Sequence, residues 1–460
     1  MLTITRKLAK TLRAVFRKAN DGPTRNHGTV VIRDENGQRR VQFHGGAVAV
    51  EYLGDGDGQG AVSAPLAALA DFEGVKDDPV QLRADDKVVH AEWTDHGIAL
   101  HRQYPASTPD AWLEPPEEFT PLGDGKRLSD LAEVVACTLQ SSIKFSLDAI
   151  QLRGKRGEAV GSDGRQLLIA RGFEFPWNED VLVARTGVFD CRQFGDEDVR
   201  IGRSPKHVVL RSGPWTIWLA IKEGRYPNVD QIIPRDSQAS RVILSDEDAA
   251  LLVPALSRLP GGKDSNSPVT IHANGRVVIR AADENGERSE LVLHHSHVAG
   301  DEVMVAVNRQ YLQRAVQLGI RELQVRGDVP IVAENDRHTY VWVPLHKSTA
   351  LPPTTATKPT ESSPALADGG SSTPTDERSE SMNRSSSSVA DPQQDRDEAD
   401  VEATDDAVLD PLQEIDALRV QIREVLSRVN RVSVALKRQR KQAQLVRSTL
   451  ASLKQLQGVA

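Results

Sequence analysis

Cysteine is nearly absent. Two occur in 460 residues, Cys137 and Cys191, far apart and without a Cys-x-x-Cys spacing, so neither a disulfide framework nor a zinc knuckle is on offer. That usage fits a reduced compartment, and the expectation is a cytoplasmic protein. Long apolar runs are missing too: no stretch of about 18 apolar residues exists to span a bilayer as a helix. The opening MLTITRKLAKTLRAVFRKA carries no acid. In charge it could pass for a transit peptide, but it lacks the apolar core and small-residue cleavage site of a secretory signal. Catalytic signatures are absent as well. There is no Gly-x-Ser-x-Gly, no His-Glu-x-x-His and no Walker A, and the acidic residues show no paired spacing. The sequence therefore predicts no catalytic residue, no metal and no cofactor.

Two stretches come closest to a metal site. LHHSHV (293–298) read as a strand puts His295 and His297 on one face, but no third ligand is identifiable, and solvent-facing strand histidines are expected. GDGDGQG (54–60) lacks the spacing and terminal Glu of a calcium loop and is expected to be a hairpin.

What is present is unevenly distributed. The net charge is −8 overall. Residues 350–408 hold 13 acidic and 4 basic side chains, whereas 409–460 hold 4 acidic and 10 basic ones. The remainder is mildly acidic, which argues against a generally adhesive nucleic-acid binder but leaves room for a local basic surface. Residues 348–408 are dominated by Ser, Thr, Pro, Asp and Glu. Too few apolar groups are available there to offset the entropy of ordering, which predicts a disordered linker spanning roughly 40–45 Å. Beyond it, Ile415, Leu418, Ile422, Val425, Val429, Val432, Leu436, Gln439, Ala443, Val446, Leu450 and Leu453 alternate by three and four. This predicts a coiled coil over 409–457, with β-branched residues at positions that lean toward two strands. The basic LKRQRKQ (436–442) lies on it, either as a solvated face or as a phosphate contact.

Residues 1–347 contain a repeat with a period of roughly 120 residues, too long for a solenoid. Each unit opens with an amphipathic helix, predicted over 6–18, 127–139 and 246–259, with Thr5, Ser129 and Ser245 as candidate N-caps. A second helix is predicted to begin near 64, 184 and 307, followed each time by alternating strands. The fold class is α+β: three similar domains, each with two helices against antiparallel sheets, bounded at 1–122, 123–236 and 237–347. On the first helix Leu8, Leu12, Val15, Phe16 and Ala19 share a face, while Arg6, Lys10, Arg13 and Arg17 follow another. That basic stripe suits either a solvated surface or a polyanion.

The stretch AVGSDGRQLLIA (159–170) poses its own question. A phosphate loop needs several glycines opening a helix. Only Gly161 and Gly164 occur here, and the residues that follow alternate like a strand, so a turn between strands is predicted.

Together with GSDGRQL, the segments KFSLDAIQL (144–152), EGRYPNVDQIIP (223–234), VNRQYLQRAV (307–316) and TYVWVPL (339–345) occur in the order found in one family. The body resembles the bacterial β sliding clamp, the processivity subunit of DNA polymerase III, over about three quarters of the chain. The resemblance implies a ring-shaped homodimer of DNA-clamp domains around duplex DNA, nucleoid-associated in the cytoplasm, with polymerase and clamp loader as partners and repair proteins recruited through short linear motifs. It implies a partner-peptide cleft walled by Leu147, Ser162, Gly164, Arg165, Gln166, Leu167, Pro234, Asn308, Tyr311, Val341, Trp342, Val343, Pro344 and Leu345. It also implies DNA-facing Lys10, Arg13, Arg17, Lys144, Arg192 and Arg314. Val343 and Leu345 stand where the family has methionines, and a stiffer cleft suits a narrower set of partners. The tail is expected to emerge beside the cleft. The alternative is a clamp-derived scaffold that does not encircle DNA and assembles through its coiled coil.

Overall fold

The computed structural model describes residues 1–353, apart from 20–26, 86, 107–111, 126, 143–144, 196–197, 236–237 and 262–265. The coiled coil and all but the first residues of the linker lie outside the described residues.

One order of elements is run through three times. The first pass comprises β1 (Leu2–Thr5), α1 (Arg6–Ala19), β2 (Thr29–Glu35), β3 (Gln38–His44), β4 (Val48–Asp55), β5 (Gly60–Pro65), α2 (Ala68–Phe72), β6 (Pro79–Ala84), β7 (Val88–Asp95) and β8 (Ile98–Pro105). The second comprises β9 (Thr120–Pro121), α3 (Arg127–Ala136), β10 (Ala149–Arg153), β11 (Glu158–Ser162), β12 (Gln166–Arg171), β13 (Asp180–Ala184), a 3₁₀ turn at Val188–Asp190, β14 (Arg200–Arg203), β15 (His207–Ser212) and β16 (Trp215–Ala220). The third comprises β17 (Ser240–Ile243), α4 (Asp246–Arg258), β18 (Pro268–Asn274), β19 (Arg276–Ala282), β20 (Arg288–Leu293), β21 (His297–Ala299), β22 (Val303–Asn308), α5 (Arg309–Gln317), β23 (Glu322–Val325), β24 (Ile331–Glu334) and β25 (His338–Trp342).

These strands form four antiparallel sheets. Two have four strands, β1-β6-β7-β8 and β20-β19-β18-β22. The other two are built jointly by neighbouring repeats. An eight-stranded sheet joins the first and second through β4 and β16, with Val50 opposite Ile217. A nine-stranded sheet joins the second and third through β12 and β25, with Leu168 opposite Tyr340.

The helices earn their places by amphipathicity. Ala9, Leu12, Val15, Phe16 and Ala19 of α1 are buried, and Phe16 stacks on Phe43 at 5.2 Å and meets the edge of Trp215 at 6.4 Å. Trp215 belongs to the second repeat, so the first helix also cements the first joint. Thr5 caps α1 by accepting from the Leu8 amide at 3.1 Å, and Ser245 caps α4 through the Asp248 amide at 3.1 Å. Helix α4 runs through Pro254 without interruption.

Several expectations are corrected. Ser129 lies inside α3, which starts at Arg127, so it is no N-cap. The second helix of the second repeat is only the 3₁₀ turn, because Gly, Val, Phe, Asp and Cys (187–191) are all weak helix formers. GDGDGQG is not a hairpin: β5 pairs with β2 rather than β4, so the stretch carries the chain across the sheet. Arg39 holds it there, reaching Asp57 at 2.9 Å and the buried Asp34. LHHSHV is not one strand, since β20 ends at Leu293 and His294–His295 form a turn. No helix among the described residues is long and apolar enough to cross a membrane.

The segment after β25 also departs from expectation. It passes to β22, where the Leu345 amide bonds the Ala306 carbonyl at 2.8 Å, makes a 3₁₀ turn at Lys347–Thr349, and crosses the adjoining sheet. There the Leu351 amide donates to Thr270 at 2.8 Å and Arg288 donates to the Pro352 carbonyl at 3.2 Å. The described chain therefore ends over the third repeat, beside β20; the tail beyond it lies outside the described residues.

Candidate functional site

The GSDG turn joins β11 to β12, with Gly164 at φ +85°. Its amide donors are all occupied. Gly164 N–H bonds the Ser162 hydroxyl at 3.1 Å, and the amides of Arg165 and Gln166 bond Asp163 Oδ1 at 2.8 and 2.9 Å. Nothing is left to converge on a phosphate. The turn is instead fixed against the end of the last strand, where the Val343 amide bonds the Arg165 carbonyl at 2.9 Å.

The two faces of this joint have different fates. On one, Val160, Leu167, Ile169, Val229, Val332 and Val341 form a small buried cluster of their own, with Tyr226 and Ile233 packed on it. Segment 223–234 thus covers part of the predicted cleft floor. Leu167 and Val341 lie beneath it, 2 % and 3 % exposed. On the opposite face, Trp342 is fully buried in the main core and tilts against Tyr340 at 5.1 Å. Trp342 is therefore no cleft wall, because strand alternation turns it inward.

Gln166 is also internal. Its Oε1 accepts from Arg314 at 2.7 Å and from the Tyr340 hydroxyl at 2.6 Å, while Arg314 Nε donates to Glu133 at 3.1 Å. Arg314 was expected to face DNA, but its guanidinium is committed between the second and third repeats. Asp130 of α3 strengthens the same junction, accepting from Arg337 and contacting His338 at 3.2 Å. Asn308, buried, caps α5 by accepting from the Gln310 amide at 2.9 Å.

Around this junction a surface remains open. Gly164 and Arg165 are exposed, Leu147, Tyr311, Pro234, Pro344 and Leu345 are half-buried, and Val343 is 47 % exposed. Burial, with Asp163 nearby, pushes the Tyr311 hydroxyl pKa up. Ile232 and Val329 add exposed apolar area beside Pro234. Sequence reasoning missed both, although Ile232 sits within the quoted EGRYPNVDQIIP. Leu345 borders a groove of about 660 Å³ along β22, lined also by Met304, Val325, Arg326, Asp328 and Lys347.

The basic stripe is partly spent. Arg6 pairs with Asp95 at 2.7 Å, Arg13 with Glu73 at 2.7 Å and Lys18 with Asp190 at 2.9 Å. Lys10 and Arg192 are exposed and Arg17 is half-buried; Lys144 lies outside the described residues. Neither thiol is primed for chemistry. Burial pushes Cys137 up to about 12 and Cys191 up to about 11.

No protein-family model matches the chain, and no characterised protein matches it by sequence. Solved structures do match. A Pseudomonas aeruginosa sliding clamp (DNA polymerase III subunit beta) bound to griselimycin is 18% identical, with TM-score 0.59, over 75% of this chain and 98% of that one. The Borrelia burgdorferi DNA polymerase III subunit beta, in complex with a natural product, is 12% identical, with TM-score 0.60, over 75% and 98%. A Bartonella birtlesii sliding clamp bound to griselimycin is 18% identical, with TM-score 0.58, over 75% and 99%. The described part of the chain thus has the fold of the DNA polymerase III β sliding clamps.

Proposed function

We propose that the chain is a DNA sliding clamp, a non-catalytic processivity and recruitment factor that closes head to tail as a homodimer around duplex DNA. One observation carries this reading: the bookkeeping of sheet edges. In the threefold order of elements, β4, β12 and β20 correspond, and so do β16, β25 and β8. Each joint inside the chain pairs a member of the first set with a member of the second, β4 with β16 and β12 with β25. Strands β20 and β8 are left over as outer edges of their sheets. An unpaired edge is a template for another chain, and Ile98 and Leu100 on β8 are exposed. Pairing β8 of one copy with β20 of another would repeat the internal joint and, done twice, close a ring.

On this reading the domains are 1–122, 123–236 and 237–347. Lys10, Arg17 and Arg192, with Arg13 partly neutralised by Glu73, contact phosphates without reading sequence. The open surface around Arg165, Tyr311, Val343 and Leu345 takes short linear motifs of polymerase, clamp loader and repair partners, as an apolar trough with polar anchors suits. No cofactor is required, and the setting is the cytoplasm, at the nucleoid. The test is topological. Protein assembled on nicked circular DNA with loader activity and ATP should co-elute with the circle and be lost once a single cut makes it linear. Equal retention before and after cutting would contradict encirclement.

A second reading, a non-encircling scaffold assembled through 409–457, is favoured by how little unpaired positive charge the helices offer. Arg13, Lys18 and Arg314 are committed to carboxylates, and α4 opens with Asp246, Glu247 and Asp248.

A further inference from the structure

The polar outer face of the β7–β8 hairpin carries a pair of imidazoles that the clamp reading does not use. His90 and His101 occupy diagonal positions on neighbouring strands, since His90 lies opposite Gln103 and His101 opposite Glu92. His90 Nδ1 stands 3.3 Å from His101 Nε2. The rings are inclined by only 23°, with centroids 5.6 Å apart. On its far side His90 Nε2 meets Asp85 Oδ2 at 3.1 Å.

One tautomer satisfies both contacts at once. In it Asp85 accepts from His90 Nε2–H and the lone pair of His90 Nδ1 faces His101. A single proton, on His101 Nε2, then bridges the two rings. Moving that proton to His101 Nδ1 turns a second lone pair into the same gap, with no net proton released. Two nitrogens on one tetrahedral zinc stand about 3.4 Å apart, given Zn–N bonds of ~2.0–2.1 Å, so a tilt of each ring suffices to share an ion. A carboxylate on the far nitrogen of a ligating histidine is the usual outer support of such a site, since it sets the tautomer and raises basicity.

We propose that His90 and His101 form a binding site for a divalent transition-metal ion of the imidazole-preferring kind, such as zinc, with Asp85 as the positioning carboxylate. Among the described residues no group of three His, Cys, Asp or Glu converges to hold a metal. The ion therefore has two protein donors and completes its coordination with water. Such an ion would bind reversibly and staple β7 to β8, stiffening the edge strand. The site does not depend on ring closure, because both ligands lie in one hairpin.

The test is zinc binding to the full-length chain, stripped with chelator and followed by equilibrium dialysis, with thermal unfolding measured in parallel. Wild type should take up an ion that H101A binds at least tenfold more weakly, and D85N should lose about tenfold. Zinc should raise the melting temperature of wild type and leave that of H101A unchanged. Because His101 is exposed, the variant keeps its fold, which circular dichroism checks. The proposal is overturned if wild type binds no zinc or if H101A binds as wild type does. It is equally overturned if affinity is lost instead in the H295A/H297A variant, which would put the site in the third repeat.

Discussion

Arg314 and Asp248 show how much of the molecule is decided by single side chains whose partners lie far away in sequence. The Arg314 guanidinium bonds Gln166 and Glu133, 148 and 181 residues distant. R314M keeps the stem but removes these charge-assisted bonds, and should cost on the order of 1–3 kcal/mol in a urea unfolding curve. It should leave retention on circular DNA unchanged; K10E/R17E should weaken that retention while leaving stability nearly untouched. Asp248 is buried and works differently. Burial opposes its charge, but the Ser296 hydroxyl at 2.7 Å and the His295 amide at 2.8 Å outweigh that and hold the carboxyl below the usual range. Its folded pKa is thus lower than its unfolded one. The stability it supplies is complete above the ordinary carboxylate pKa of about 3.9 and is lost as pH falls through the lower folded value. D248N should therefore be less stable than wild type at pH 7, with the gap closing below about pH 4 in a pH series of melting temperatures. Asp163, Gly164 and Ser162 were legible in the sequence because a turn is satisfied locally. Gln166, Trp342 and Arg314 were not: their roles depend on which way an alternating strand faces and on which strand lies beside it.

Elements were legible in proportion to their length and amphipathicity. The helix beginning at Arg6 announces itself through its apolar face and its Thr5 cap, and the one at Asp246 through Ser245 and its acidic first turn. The 3₁₀ turn at Val188–Asp190 stands where the repeat period predicts a helix, because its residues have weak helix propensity. The pairing of β5 with β2 across the intervening strands could not be read from GDGDGQG, since topology is non-local. The crossing at 346–352 was invisible because nothing in it is periodic, yet it lies over strand positions already engaged. Thr270 is 1 % exposed and Arg280, paired with Glu290 at 2.6 Å, is 3 % exposed. A chain ending at Pro353 should unfold at the temperature of a chain ending at Val401. One ending at Leu345 should unfold several degrees lower, since Thr270 and Arg288 lose their backbone partners. Equal melting temperatures for all three would mean that the crossing contributes nothing to the third repeat.

At the scale of the whole molecule, three passes through one order of elements produce two internal joints and leave β8 and β20, the strands equivalent to those that make the joints, as outer edges. The repeat and its period were legible because apolar patterns recur. The joints were not, as they need strands far apart in sequence to meet in register, Trp215 opposite Tyr52 and Gln166 opposite Trp342. If β8 and β20 are the third joint, association belongs to the body and not to the tail. A charge in the middle of that edge should then undo it: L100D buries an unpaired carboxylate in the joint and should turn dimers into monomers without lowering helix content. The most direct measurement is the solution mass of residues 1–353 across a dilution series, with L100D alongside. The account predicts a dimer that persists on dilution for the unmodified body and a monomer for L100D. A body that is monomeric at every concentration, while the full-length chain is dimeric, would contradict it and hand assembly to the C-terminal segment.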